Sequence, residues 1–171
     1  MSGNNEDIYR KNNNPSSAET ITSQQDVGHH NNKKTDVGDK PLGRLLIVDD
    51  EFDIVLVLKL GLQQNGFLVD TFTNPEEALQ SFKSNAEAYS LLLSDVRMPG
   101  LTGIQLARKV KEINHNVKVV LMTAFEIRDN EFSKVFPSTQ VDGFIQKPIG
   151  IRDLTDKILS IIRESKSGER N

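Results

Sequence analysis

The sequence contains no cysteine and no long apolar run. Without cysteine, neither a disulfide framework nor a thiolate metal site can form. No window approaches the ~18 uninterrupted apolar residues of a membrane-spanning helix. The first thirty residues also lack the apolar segment of a secretory signal. These absences predict a soluble cytoplasmic protein without a membrane span.

Positive and negative charges nearly balance, with a small excess of negative charge. The 171 residues carry a formal net charge of −3, and 36% of them are hydrophobic. This length and composition predict one folded domain with an extra segment. The slight acidity argues against direct binding of nucleic acid, because phosphate recognition normally shows as a basic patch.

The apolar residues are unevenly distributed along the chain. Only eight of the first 43 residues are apolar, and the rest are polar or charged. Such a segment buries too little surface to offset the entropy of ordering it, which predicts a disordered polar tail over residues 1–43. The folded domain is then expected over 44–164, with a short polar tail over 165–171.

Within the domain, apolar runs alternate with amphipathic stretches. Short apolar runs predict strands over 45–48, 67–72, 89–94, 117–122 and 143–146. Helical periodicity predicts helices over 53–64, 103–113 and about 151–163. Another helix is predicted to begin at Pro75, directly after the capping residue Asn74. A weaker helix is carried by Phe132, Val135 and Phe136. This alternation favours a doubly wound α/β fold, a parallel sheet with helices on both faces.

Polar residues follow four of the five predicted strands. Asp49 and Asp50 follow the first strand, and Asp95, Thr123 and Lys147 follow the third, fourth and fifth. In a doubly wound sheet, ligands bind outside the carboxyl ends of the strands. We therefore expect these side chains to converge at one edge, although any single loop aspartate could simply cap a helix.

Three converging carboxylates repel one another unless a cation lies among them. Mg²⁺ suits such a site, because it accepts a few carboxylates and keeps water and phosphate oxygens as its other ligands. A carboxylate can also accept a phosphoryl group, and that transfer chiefly needs charge neutralisation. Mg²⁺ and Lys147 would supply it, while Thr123 could donate a hydrogen bond to a phosphoryl oxygen.

Four blocks resemble the response-regulator receiver domain of two-component signalling. They are LLIVDDE over 45–51, SDVRMPGLTG over 94–103, MTA over 122–124 and FIQKP over 144–148. Their order and spacing match the family over about residues 44–164. The resemblance implies a flavodoxin-like, five-stranded parallel sheet in the order 2-1-3-4-5.

The resemblance also implies roles for individual residues. Asp95 would be the phospho-acceptor that becomes a 4-aspartylphosphate, and Lys147 the phosphoryl-binding lysine joined to Pro148 by a cis bond. Asp49, Asp50, Asp95 and the main-chain carbonyl of Arg97 would hold Mg²⁺. Thr123 and Phe144 would be the switch residues, although a phenylalanine near a strand end is equally well explained as a core residue.

Three further features concern regulation and partners. Arg97 and Phe125 occupy positions that in this family modulate phosphoryl lifetime, and Pro137 falls where the fourth predicted helix should be ending. The first predicted helix is more apolar than a surface helix needs. The resemblance points to Ile54 and Val57, with Pro148, as a docking face for a helical phosphodonor. The alternative is that the extra apolar residues of this helix are buried in the core.

The resemblance implies a phospho-accepting response regulator that switches a protein-interaction face and is not a turnover enzyme. Its donor would be a sensor histidine kinase or a histidine phosphotransfer protein. With no output domain expected after residue 164, output would run through a separate protein, through phosphorylation-dependent homodimerisation or through phosphoryl relay. The alternatives are a non-phosphorylated scaffold and an aspartyl-phosphate phosphatase, which would need an acid where Arg97 stands.

Overall fold

The computed structural model describes residues 40–124 and 141–167, with side chains described as far as Glu164. The chain divides into two units, Met1–Asp36 and Val37–Asn171, and every described residue lies in the second. No helix in these ranges is both long and apolar enough to cross a membrane. Residues 1–39 of the predicted polar tail, Phe125, Pro137 and the helix expected around Phe132, Val135 and Phe136 lie outside the described residues.

Five parallel strands form one sheet in the order β2-β1-β3-β4-β5, which confirms the predicted fold class. They are β1 (Arg44–Val48), β2 (Leu68–Phe72), β3 (Leu91–Asp95), β4 (Lys118–Thr123) and β5 (Gly143–Gln146). The observed β3 and β4 each run one residue further than predicted, because ladder pairing continues into the polar residues at their carboxyl ends. Asp95 and Thr123 are thus the last residues of their strands.

Four described helices cover the sheet: α1 (Phe52–Gln64), α2 (Pro75–Ser84), α3 (Gly103–Ile113) and α4 (Ile151–Ser167). A short 3₁₀ turn, Ala86–Ala88, follows α2. The expectation that the last helix ends near Arg163 was wrong by four residues. Apolar periodicity marks only the part of a helix that faces a core, whereas main-chain hydrogen bonding continues through the polar residues beyond it.

Each face of the sheet has its own apolar core. One face packs α1 and α4 against inward residues such as Leu45, Ile47 and Leu93. The other packs α2 and α3 against Leu46 and Val48, among others. Because successive strand residues point to opposite faces, residues 45–48 of β1, which are fully buried, must be apolar at consecutive positions, as predicted from their unbroken run.

Side-chain caps set where α2 and α3 begin. The Asn74 carboxamide oxygen accepts from the amides of Glu76 and Glu77 at 2.8 and 3.1 Å, as expected for a capping residue. Thr102 and Gln105 form a reciprocal capping box at the start of α3. That cap anchors the carboxyl end of the loop that follows Asp95.

Candidate functional site

The sheet brings the predicted strand-end residues to one edge. Asp49 and Asp50 follow β1, Asp95 and Thr123 end β3 and β4, and Lys147 follows β5. Since all five strands are parallel, their carboxyl ends share this edge. The predicted convergence is therefore observed for the elements that carry these five residues.

Lys147 links two of the carboxylates. Its Nζ lies 2.6 Å from Asp49 Oδ2 and 2.6 Å from Asp95 Oδ1. Asp49 is fully buried, and its other oxygen accepts the amide of Glu51 at 3.0 Å. A buried carboxylate is costly unless it is paired and hydrogen-bonded, and Asp49 has both kinds of partner.

The electrostatics of Lys147 follow from this arrangement. Burial on its own lowers the pKa of the ammonium group, because it disfavours the charged form. The hydrogen bonds and negative charges of Asp49 and Asp95 outweigh that effect and raise the pKa of Lys147 above its ordinary value. Lys147 is therefore a permanent cation beside Asp95 at neutral pH.

The carboxylate of Asp95 is oriented from two directions. Lys147 donates to Oδ1, and the main-chain amide of Arg97 donates to Oδ2 at 2.6 Å. The Ser94 hydroxyl donates to the main-chain carbonyl of Asp95 at 2.9 Å. Both the side chain and the main chain of Asp95 therefore have defined partners.

A cavity of about 260 Å³ opens beside Asp95 at the strand ends. Its lining combines acidic, basic and hydroxyl groups with small apolar ones: Asp50, Glu51, Asp95, Val96, Arg97, Thr123, Ala124 and Lys147. Predicted site residues make up most of this wall. Glu51 was given no role from the sequence, and its only signal was its place directly after Asp50.

The donor chemistry around this cavity suits a hard divalent cation. Asp50, Asp95 and Thr123 offer oxygen atoms, and Mg²⁺ is bound by such oxygens with water completing its shell. Within the described ranges, however, no three acidic or histidine side chains form a ready-made metal cage. The Lys147 ammonium joins Asp49 and Asp95 directly.

The predicted docking residues lie together in a separate apolar groove. Ile54 and Val57 of α1 and Pro148 of the loop after β5 line one cavity of about 240 Å³. Its floor includes Met122, and its rim reaches Lys147. The Lys147–Pro148 peptide bond is cis, as the resemblance implies. The groove therefore begins at the same lysine that contacts Asp95.

The predicted switch residues have different surroundings. Thr123 is buried at the end of β4 and also borders the strand-end cavity. Phe144 pairs with Leu121 across β4 and β5, and it packs partly buried against the core on the α2 and α3 face. Phe144 thus packs against this core without being fully buried in it, and its switch role stays a prediction.

Comparison with known proteins connects this site to a family. The family model described as "Response regulator receiver domain" matches residues 45–159. The chain is 34% identical over 131 residues to the transcriptional regulatory protein CpxR homolog of Haemophilus influenzae, covering 76% of this chain and 55% of that protein. It is 33% identical to the response regulator receiver protein CpdR of Brucella abortus, covering 67% and 92%.

A solved structure shows the same similarity. The response regulator protein TrrA from Thermotoga maritima, in complex with Mg²⁺ and BeF, is 32% identical with a TM-score of 0.61, covering 70% of this chain and 98% of that one. This chain spans about half the length of several curated relatives. With the matched fold and the strand-end cavity, these similarities show that the chain belongs to the response regulator receiver domain family, the signalling domains of two-component systems.

Proposed function

We propose that this protein accepts a phosphoryl group on Asp95, with Mg²⁺ bound beside it, and that the product state changes a protein-interaction face. The observation that carries the proposal is the position of Lys147 Nζ, 2.6 Å from Asp95 Oδ1 at the wall of an open polar cavity. A fixed cation beside a carboxylate that borders free space is the arrangement an anionic phosphoryl donor requires.

The chemistry can be followed from the residues in place. A carboxylate oxygen of Asp95 forms a bond to phosphorus as the bond from phosphorus to the donor nitrogen or oxygen breaks. The leaving atom takes the bonding electrons. A histidine nitrogen then takes up a proton from solvent, whereas a carboxylate oxygen leaves as the anion. Lys147 offsets the phosphoryl charge from one side, and the Arg97 amide keeps the Asp95 side chain oriented.

Asp49, Asp50, Asp95 and the main-chain carbonyl of Arg97 would hold the Mg²⁺. Bound there, the ion supplies the positive charge that lets two anions approach. Thr123, at the cavity wall, would donate a hydrogen bond from its hydroxyl group to a phosphoryl oxygen after transfer. That new bond would draw Thr123 toward the site, and Phe144 on the neighbouring strand would respond, which couples the chemistry to the β4–β5 side of the domain.

The phosphodonor would be a sensor histidine kinase or a histidine phosphotransfer protein. The groove between α1 and the loop after β5 supports this assignment, because Ile54, Val57 and Pro148 form one apolar surface next to Lys147. An apolar helix face suits such a groove. A donor seated there would carry its phosphohistidine toward Asp95. The downstream partner would be another protein or a second phosphorylated copy of this chain.

Intact-mass measurement tests the proposal. Incubation with Mg²⁺ and acetyl phosphate should add one phosphoryl group to the parent protein and none to Asp95→Ala, and a chelator should abolish the gain. Asp53→Ala is the matched control, since Asp53 lies exposed on α1 outside the cavity lining. An unlabelled parent protein, or a labelled Asp95→Ala variant, would contradict the proposal.

A further inference from the structure

Ser94 is a polar residue in an apolar position. Its side chain is fully buried in β3, directly before Asp95. Its ladder neighbours, Val48 on β1 and Leu121 on β4, are fully buried apolar residues. An alanine or valine would suit this place, and burying a hydroxyl there is unfavourable unless it is hydrogen-bonded. The Ser94 hydroxyl makes that bond to the main-chain carbonyl of Asp95, at 2.9 Å.

The start of α3 also approaches this carbonyl closely. A Cβ atom placed on Gly103 would overlap the main-chain oxygen of Asp95 and lie 3.0 Å from Ser94 Oγ. The amide of Gly103 donates to the carbonyl of Val96 at 3.1 Å, and the amide of Val96 donates to Met122 on β4 at 3.0 Å. Three successive main-chain groups after Ser94 therefore have hydrogen-bond partners among the described residues, and the bond from Ser94 comes from a side chain.

This main-chain path determines where Arg97 lies. The Arg97 amide donates to Asp95 Oδ2 at 2.6 Å and so orients the carboxylate. The carbonyl bonded by Ser94 and the Arg97 amide belong to adjacent peptide units, joined at the Cα atom of Val96. A rotation of the Asp95–Val96 peptide therefore displaces the main-chain amide of Arg97 and, with it, the main-chain carbonyl of Arg97.

We infer that Ser94 is a positioning residue for phosphoryl transfer, which acts by fixing the peptide after Asp95 so that the main chain of Arg97 orients the acceptor carboxylate and the cation. The inference rests on the proposed acceptor role of Asp95. If Ser94 served only packing, its loss would change stability and leave the transfer chemistry untouched. The two possibilities therefore differ in a measurable way.

The test compares Ser94→Ala with Ser90→Ala, which removes a serine hydroxyl just before the other end of β3. Labelling by acetyl phosphate is followed at saturating donor, with the Mg²⁺ concentration varied, at a temperature where both variants are folded. We expect Ser94→Ala to lower the maximal labelling rate by about five-fold and to raise the half-saturating Mg²⁺ concentration, as the loss of one buried hydrogen bond allows. Ser90→Ala should change neither quantity.

Ser94→Cys separates the hydrogen bond from side-chain volume. A thiol is a weak donor in nearly the same shape, so this variant should fall between the parent and Ser94→Ala. A cysteine variant slower than the alanine variant would assign the effect to volume and overturn the inference. Parent-like labelling and Mg²⁺ dependence in Ser94→Ala would overturn this inference and leave the proposed function standing. An unlabelled parent protein would overturn both.

Discussion

At the residue scale, Lys147 balances the charge of two carboxylates that the fold brings together. Asp49 has no exposure to solvent, and its charge is compensated by Lys147 and by the Glu51 amide. Removing one member of a buried ion pair costs more than the pair contributes, because the remaining charge stays buried without a counter-ion. The site therefore couples stability to the presence of a cation.

This coupling predicts the behaviour of Lys147→Ala. We expect its free energy of unfolding at pH 7 to fall by about 2 to 4 kcal/mol. Mg²⁺ should restore part of that loss by neutralising the same carboxylates, so added Mg²⁺ should stabilise the variant more than the parent. Urea denaturation with and without Mg²⁺ measures both effects. Lys59→Ala on α1 is the control, and an unchanged stability of Lys147→Ala would contradict the prediction.

A second charged cluster lies at the entry to β5, away from the site. The carboxylate of Asp142 accepts from Lys111 and Lys118, each at 2.9 Å, and from the Val119 amide at 2.9 Å. Burial on its own would raise the pKa of Asp142, but these three hydrogen bonds outweigh it and lower the pKa below its ordinary value of 3.8. The ionised form is thus favoured in the folded state.

Because of the lowered pKa, the contribution of Asp142 to the free energy of unfolding depends on pH. The contribution is fully present above the ordinary pKa of 3.8, which applies to the unfolded state, and is lost as the pH falls through the lowered folded-state pKa. Asp142→Asn should therefore be less stable than the parent at pH 7, with the difference vanishing in strong acid. Denaturation at a series of pH values checks this. Glu112→Gln, which changes an exposed carboxylate on α3, is the control.

At the element scale, α1 combines a buried face with an unusually apolar exposed one. Val55, Leu58 and Leu62 pack into the core. Val57 and Leu60 are 59% and 53% exposed, yet only Val57 lines the groove that reaches Lys147. The helix therefore provides two similar exposed residues that differ in their relation to the proposed docking surface.

This difference allows a matched test of docking. Val57→Asp should slow phosphoryl transfer from a histidine-phosphorylated donor protein that labels the parent, because a charge would be desolvated in an apolar groove. It should leave labelling by acetyl phosphate unchanged. Leu60→Asp adds the same charge to the same helix outside the groove and should transfer normally. Equal slowing with both donors in Val57→Asp would exclude the docking role.

At the scale of the whole molecule, the described strands and helices all lie between Arg44 and Ser167. Just before them, the Leu42 amide donates to Gly66 at 3.0 Å, and the Leu68 amide donates to Gly43 at 2.9 Å. Arg44 forms an ion pair with Asp70 at 3.1 Å. Residues from Leu42 onward thus contribute contacts that join β1 and β2.

A truncation series follows from these contacts. A fragment of residues 40–171 should match the full chain in urea midpoint and in labelling by acetyl phosphate. A fragment of residues 45–171 should unfold at lower urea, since it lacks the Leu42, Gly43 and Arg44 contacts. Circular dichroism and intact mass provide the two measurements. A weakened 40–171 fragment would show that the first 39 residues contribute to folding or chemistry.

Much of this protein follows from local features of its sequence. An unbroken apolar run is enough to predict a doubly buried strand such as β1, and Asn74 before Pro75 is enough to predict the start of α2. The residues after each strand could be expected at one edge, because parallel strands share their carboxyl ends. These inferences need only the chain near each residue, so they could be made without a structure.

Only the tertiary structure decided how those residues pair. Lys147 contacts Asp49 and Asp95 across 98 and 52 residues of chain, and no local pattern specifies such a contact. The close approach of Gly103 at the start of α3 to the Asp95 carbonyl is likewise a result of packing. Side-chain pairing follows from the packing of distant segments, whereas strand and helix patterns follow from neighbouring residues. The sequence alone therefore predicted the fold class and the edge of the sheet at which these residues meet, and the packed structure determined how they contact one another.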